Sequence, residues 1–130
     1  MAHAIHGYQG TCKNIHGHSY ELHVSVASVN DCEEYIPAPG IVIDFKELKK
    51  LVTTALIQLF DHKLILSRDF LAEHPAFSSQ ENLLLWDVEP TAENMLIYMK
   101  RTLCDRLPPG IKLVYLKLHE TKDSYAEWAG

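Results

Sequence analysis

Between His16 and Val26 every second residue belongs to one row: His16, His18, Tyr20, Leu22, Val24 and Val26 alternate with small, polar or charged neighbours. Such alternation places the even-numbered side chains on one face of a β-strand. The spacing therefore predicts a strand from His18 to about Val29, with an apolar face turned inward and imidazoles at its leading end. Side chains two apart on a strand point the same way, so His16 and His18 can converge on one point, with Gly17 leaving room beside it.

Two converging neutral imidazoles are most of a zinc site. A catalytic Zn²⁺ takes three protein ligands and keeps a fourth position open, and His3 is the best third candidate. Cys12 is either a further ligand, which would close the site, or a reactive thiol. The thiol is preferred, because a thiolate near Zn²⁺ is stabilised in its deprotonated form. Two other readings stand beside this one: coincidence in a chain with eight histidines, and a copper or nickel chelate built on His3 and a free amino terminus. Met1, Ala2 and His3 leave little strand to hold a ligand, which predicts a truncated first strand and a natural chain extending upstream.

Further along, a polar turn at Asn30 and Asp31, a break over Ile36 to Gly40 and a return strand Ile41–Ile43 predict a hairpin. Asp44 has the form of an N-cap with Glu47 three positions on, and apolar residues from Phe45 to Leu59 recur at helical spacing, so a helix should run to about Phe60. The stretch from Leu64 to Asn82 is irregular, and Leu83–Trp86 is a short buried strand. Thr91 caps a second helix with buried Leu96, Met99, Leu103 and Leu107, stopped by Pro108, Pro109 and Gly110. Lys112 to Glu120 alternates again, and a short aromatic segment surrounds Tyr125 and Trp128. This order predicts an α+β domain: an antiparallel sheet with two helices packed on one face. Its exposed edges favour subunit pairing.

At 130 residues the chain suits a single domain, 1–130, with 47% hydrophobic and 22% charged residues. No apolar run is long enough for a membrane span and no signal peptide is visible, which leads to the expectation of a cytoplasmic protein. Three cysteines without scaffold spacing point to reduced thiols, with Cys32 and Cys104 as inert small hydrophobes. A net charge of −5 argues against a general nucleic-acid surface. Lys13 and Lys63 flank the reactive segments, where they either meet phosphate or are simply solvated.

Glu120 continues the row Val114, Leu116 and Leu118. A carboxylate there is a solvated strand end, or is buried against donors such as the two parallel N–H groups of an amino-pyrimidinone ring. Asp61 and His62 close the first helix. The helix dipole favours protonated imidazole at that end, so His62 suits a proton donor or relay, or the pair is a polar cap. His6, His23, His74 and His119 are surface polar residues.

Together these residues resemble the 6-pyruvoyl-tetrahydropterin synthase and 6-carboxy-tetrahydropterin synthase family. The resemblance rests on Ala2 and His3, Cys12 with His16, Gly17 and His18, the segment Gly40 to Phe45, Asp61 and His62, Pro90 with Thr91, Glu93 and Asn94, and Glu120 with Thr121. It implies Zn²⁺ on His3, His16 and His18, Cys12 as the proton-abstracting base, and Asp61 with His62 as its relay. Glu120 would anchor a pterin, with Thr121 beside it. The implied tunnelling fold assembles by oligomerisation into a β-barrel, as a homo-oligomeric trimer or a hexamer of two stacked trimers, and brings Asp61 and His62 to Cys12 of a neighbour. The three-residue gap between Cys12 and His16 resembles the bacterial carboxy enzymes of queuosine (7-deazaguanine) biosynthesis. These convert 7,8-dihydroneopterin triphosphate to 6-carboxy-tetrahydropterin, acetaldehyde and triphosphate. The pyruvoyl synthase and a silent pterin- or purine-binding subunit are the alternatives.

Overall fold

The computed structural model describes residues 1–30 and 35–130. Among these, the strands form two sheets. A four-stranded sheet has the order β2 (His16–Gly17), β1 (Ala2–His3), β4 (Leu64–Ser67) and β5 (Leu83–Trp86), and a three-stranded antiparallel sheet has the order β3 (Glu21–Ser28), β6 (Ile111–His119) and β7 (Tyr125–Ala129). The expected single antiparallel sheet is thus replaced by two, and the first is mixed. In it β1 pairs antiparallel with β2 but parallel with β4, and β4 pairs parallel with β5.

The long strand expected from His18 is also divided. His16 and Gly17 pair with the amino terminus, while Glu21 to Ser28 pair with β6. The row of even residues runs through the switch because its side chains face the interior before and after it. Gly17 is not sterically required: a Cβ there would come no nearer than 3.5 Å to the Met1 carbonyl oxygen, an ordinary contact.

Helix α1 (Phe45–Val52) starts as expected, with Oδ1 of Asp44 accepting from Lys46 N–H at 2.7 Å. It continues through a π-helical turn, Thr53–Ile57, into α2 (Gln58–Phe60). Helix α4 (Ala92–Arg106) begins at Thr91, whose Oγ1 accepts from Asn94 N–H at 3.2 Å. Leu56, Phe60, Met95, Met99 and Leu103 from these helices bury against Leu113, Leu116 and Leu118 of β6. Each fully buried leucine of this layer contributes about 1.5–3 kcal/mol of apolar transfer. On β6 the register shifts opposite Ser25 and Val26, leaving Val114 unpaired as a bulge. The phase slips by one residue, so Leu113 enters the core and Val114 is only half-buried.

Two expectations fail, each for its own reason. Leu64–Asn82 contains β4, helix α3 (Arg68–Glu73) and a 3₁₀ turn, Pro75–Ser79. Strand β4 is buried on both faces: Ile65 joins the main core, while Leu64 and Leu66 join Ala4 and Phe70 in a second cluster. A strand covered twice shows no alternation. Conversely, Ile41–Ile43 has strand-like residues but forms no strand; β3 pairs with the distant β6 instead. Asp31 and Cys32 lie outside the described residues. Cys104 is exposed rather than an inert buried hydrophobe.

Candidate metal centre and its cavity

The pairing of β1 with β2 sets His3 directly opposite His16. With His18 just past the end of β2, the three rings gather at centroid separations of 4.6, 4.9 and 5.5 Å. One ligand nitrogen from each lies within 4.8 Å of the others. His3 is only 2% exposed.

Hydrogen bonds orient two of these rings. Nδ1–H of His3 donates to the Pro90 carbonyl at 2.7 Å, and Nδ1–H of His16 donates to the Asn14 carbonyl at 2.7 Å. Both bonds leave Nε2 as a lone pair turned inward, the arrangement that outer partners impose on metal-binding imidazoles. Burial holds the pKa of His3 below its ordinary value, outweighing the opposite influence of the Pro90 carbonyl and Glu120. The ring is therefore neutral, as a ligand must be.

The donor set fits a divalent cation. Oε1 of Glu120 lies 3.2 Å from Nε2 of His3 and 3.7 Å from Nε2 of His18. The lone pair of His3 Nε2 thus faces an acceptor oxygen, and Nε2 of His18 is buried without a hydrogen-bond partner. Such a cluster costs free energy unless a positive charge enters it. Three imidazoles suit zinc, with iron and nickel also compatible with nitrogen donors.

A cavity of about 300 Å³ opens beside the His3 ring, lined by His3, Ile5, Tyr8, Cys12, Thr91, Ala92, Glu93, Glu120, Ser124 and Tyr125. Cys12 reaches it from a 3₁₀ turn, Thr11–Lys13, tied to the segment just after β1 by Ile5 N–H donating to the Cys12 carbonyl at 2.9 Å. Glu120 reaches it from just past the end of β6. Its neighbour Thr121 is not among the lining residues; its Oγ1 accepts from the N–H groups of Asp123 and Ser124. Thr121 thereby shapes the turn that carries Ser124 to the wall.

Asp61 and His62 do not line the Cys12 cavity of their own chain. They border a separate cavity of about 390 Å³, together with His18 and Tyr20 among others. His62 is 93% exposed, adopts a left-handed φ of 58°, and has Nε2 3.7 Å from Oδ2 of Asp61. Of the other histidines, His23 pairs with Glu21 at 2.7 Å and packs against His119, and half-buried His6 faces Glu73 at 3.7 Å.

The model of 6-pyruvoyl tetrahydropterin synthase matches residues 1–130, the whole chain. The chain belongs to this family of tetrahydropterin synthases. Similar members include the 6-carboxy-5,6,7,8-tetrahydropterin synthase of Rickettsia felis, 30% identical over 96% of this chain and 90% of that protein. The human 6-pyruvoyl tetrahydrobiopterin synthase is 32% identical over 93% of this chain and 72% of its own length. Among solved structures, the Caenorhabditis elegans 6-pyruvoyl tetrahydropterin synthase superposes with a TM-score of 0.65 at 25% identity, covering 99% of this chain and 87% of that one. An uncharacterized protein from Wolinella succinogenes superposes with a TM-score of 0.77 at 19% identity, covering 98% and 91%. The α+β fold with two sheets is that of the family. No helix among the described residues is long and apolar enough to cross a membrane.

For a member of the tetrahydropterin synthase family, two site residues have roles that spacing did not disclose. Tyr20 sits in the even row as if it were core, yet its hydroxyl donates to Oε1 of Glu120 at 3.0 Å. Burial and the Glu120 carboxylate push its pKa well above the ordinary tyrosine range, so it stays a donor. Pro90 belongs to a recognisable segment, but its part here is a backbone carbonyl, which no side-chain motif announces.

Proposed function

We propose that this chain is a zinc-dependent 6-carboxy-5,6,7,8-tetrahydropterin synthase acting in the cytoplasm in queuosine (7-deazaguanine) biosynthesis. It converts 7,8-dihydroneopterin triphosphate and one water to 6-carboxy-tetrahydropterin, acetaldehyde and triphosphate. The observation that carries this reading is the cluster of three imidazoles, one of which, His3, lines a cavity together with Cys12 and Glu120. The short gap between Cys12 and His16 supports the carboxy product over the pyruvoyl product.

His3, His16 and His18 hold the ion. When bound, Zn²⁺ supplies Lewis acidity that stabilises enolate-like charge on the substrate side chain. Cys12 as thiolate removes a proton from that side chain. Asp61 and His62, presented by a neighbouring subunit of a trimeric or hexameric barrel, return or shuttle it. Glu120 accepts the paired N–H groups of the pterin ring, with Thr121 setting the turn behind it, and so fixes the side chain for proton abstraction.

Incubation of purified protein with 7,8-dihydroneopterin triphosphate, with acetaldehyde and the pterin product measured together, tests the proposal. Release of one acetaldehyde per triphosphate is expected. Triphosphate release without acetaldehyde assigns the pyruvoyl activity, and binding without turnover overturns the enzyme reading.

A further inference from the structure

We infer that Tyr20 is a positioning residue whose hydroxyl, donated to Oε1 of Glu120, reserves that carboxylate for the pterin ring and keeps it from closing the metal's open position. The inference rests on the reading of Glu120 as the pterin anchor.

The danger it answers is visible in the distances. Oε1 of Glu120 stands 3.2 Å from Nε2 of His3 and 3.7 Å from Nε2 of His18. Ligand atoms around a tetrahedral ion with bonds of about 2.0 Å sit roughly 3.3 Å apart. Carboxylate oxygen is itself a competent zinc ligand. Glu120 nevertheless stays outside the set of His3, His16 and His18, whose ligand atoms all lie within 4.8 Å of one another. A small rotation of this side chain would turn an open site into a closed one and remove the anchor in the same movement.

The restraint is the Tyr20 hydroxyl, 3.0 Å from Oε1. Its ring has little freedom, since it packs edge-on against His18 at 5.6 Å and His3 at 6.1 Å between centroids. One lone pair of Oε1 is thereby engaged by a donor on a wedged ring. The second lone pair of Oε1 and the whole of Oε2 remain for the paired ring N–H groups.

The test compares wild type with Tyr20→Phe, each loaded with Co²⁺ in place of Zn²⁺, using neopterin as the binding probe. The Phe variant is expected to retain one metal per chain, to show an altered Co²⁺ visible spectrum as the carboxylate joins the ion, and to bind neopterin at least about 10-fold more weakly. The double variant Y20F/E120Q is expected to return the spectrum to the wild-type form. An unchanged spectrum with neopterin affinity within about two-fold overturns the inference. Glu120→Gln separates the two levels: if it binds neopterin as wild type does, the anchor reading fails and takes the inference with it. If E120Q weakens neopterin binding and Y20F does not, the inference alone fails. Should the Phe variant be insoluble, Tyr20→Leu is read in the same way.

Discussion

Oε1 of Glu120 and Nε2 of His3 lie 3.2 Å apart with no proton to share, because the ring proton of His3 is committed at Nδ1 to the Pro90 carbonyl. The Tyr20 hydroxyl, 3.0 Å from Oε1 and 3.4 Å from Nε2, relieves this meeting of two acceptors in part, and a bound cation relieves it further. Removing the metal with a chelator is therefore expected to lower the melting temperature by about 10 °C relative to protein with metal at 100 times its dissociation constant. Glu120→Gln should narrow that gap, since an amide N–H can donate to Nε2 of His3. Differential scanning calorimetry with and without chelator reads both effects; a melting temperature indifferent to chelation contradicts the metal assignment.

Cys12 shares the cavity with His3 and Glu120 but is not among the clustered ligand atoms. Cys12→Ala should leave metal content at the wild-type level and reduce turnover by about 10²–10⁴-fold, the span expected for a lost general base. Elemental analysis beside single-turnover kinetics decides it. Loss of metal would instead make the thiolate a ligand.

The carbonyl that orients His3 is held in turn by a helix start. Asn94 Nδ2 donates to the Glu89 carbonyl at 2.9 Å, and Thr91 Oγ1 caps the same turn, so residues 89–91 are fixed from α4. Asn94→Ala should cost about 1 kcal/mol of stability. It should also weaken metal binding by about 10–100-fold although Asn94 touches no ligand, the usual penalty for disturbing an outer partner. Urea denaturation and chelator competition measure the two separately, and unchanged metal affinity would show that Pro90 is held without Asn94.

What could be read in the sequence divides along the range of the forces involved. Asp44, Thr91 and Pro108 act within one helical turn, so both main helices were placed closely. The alternation from His16 to Val26 correctly gathers His16, His18 and Tyr20 on an inward row. It says nothing of the change of pairing partner after Gly17, because strand partners 90 residues away leave the local period untouched. Leu64–Ser67 escaped because burial on both faces removes alternation. The three imidazoles were legible as a set since a divalent-metal site calls for several nitrogen donors in reach of one point. The service of Tyr20 to Glu120 was not, for a phenol in an apolar row looks the same whether its hydroxyl is used or idle.

His62 combines a left-handed φ of 58° with a carbonyl held by Asn82 Nδ2 at 2.7 Å, so the turn after α2 is fixed in a conformation that L-residues adopt at a cost. The penalty for a side chain there is about 1–2 kcal/mol. Glycine escapes it while paying some entropy in the unfolded chain. Comparing His62→Gly with His62→Ala isolates the backbone term, since both remove the imidazole. The Gly variant is expected to be about 1 kcal/mol more stable than the Ala variant by urea denaturation, while both lose turnover by about 10²–10⁴-fold. Strain retained at an exposed histidine, where glycine relieves it, accords with the relay role that the proposed function gives the imidazole. Equal stability of the two variants would show that the turn carries no such strain, and full activity in either would remove His62 from the relay.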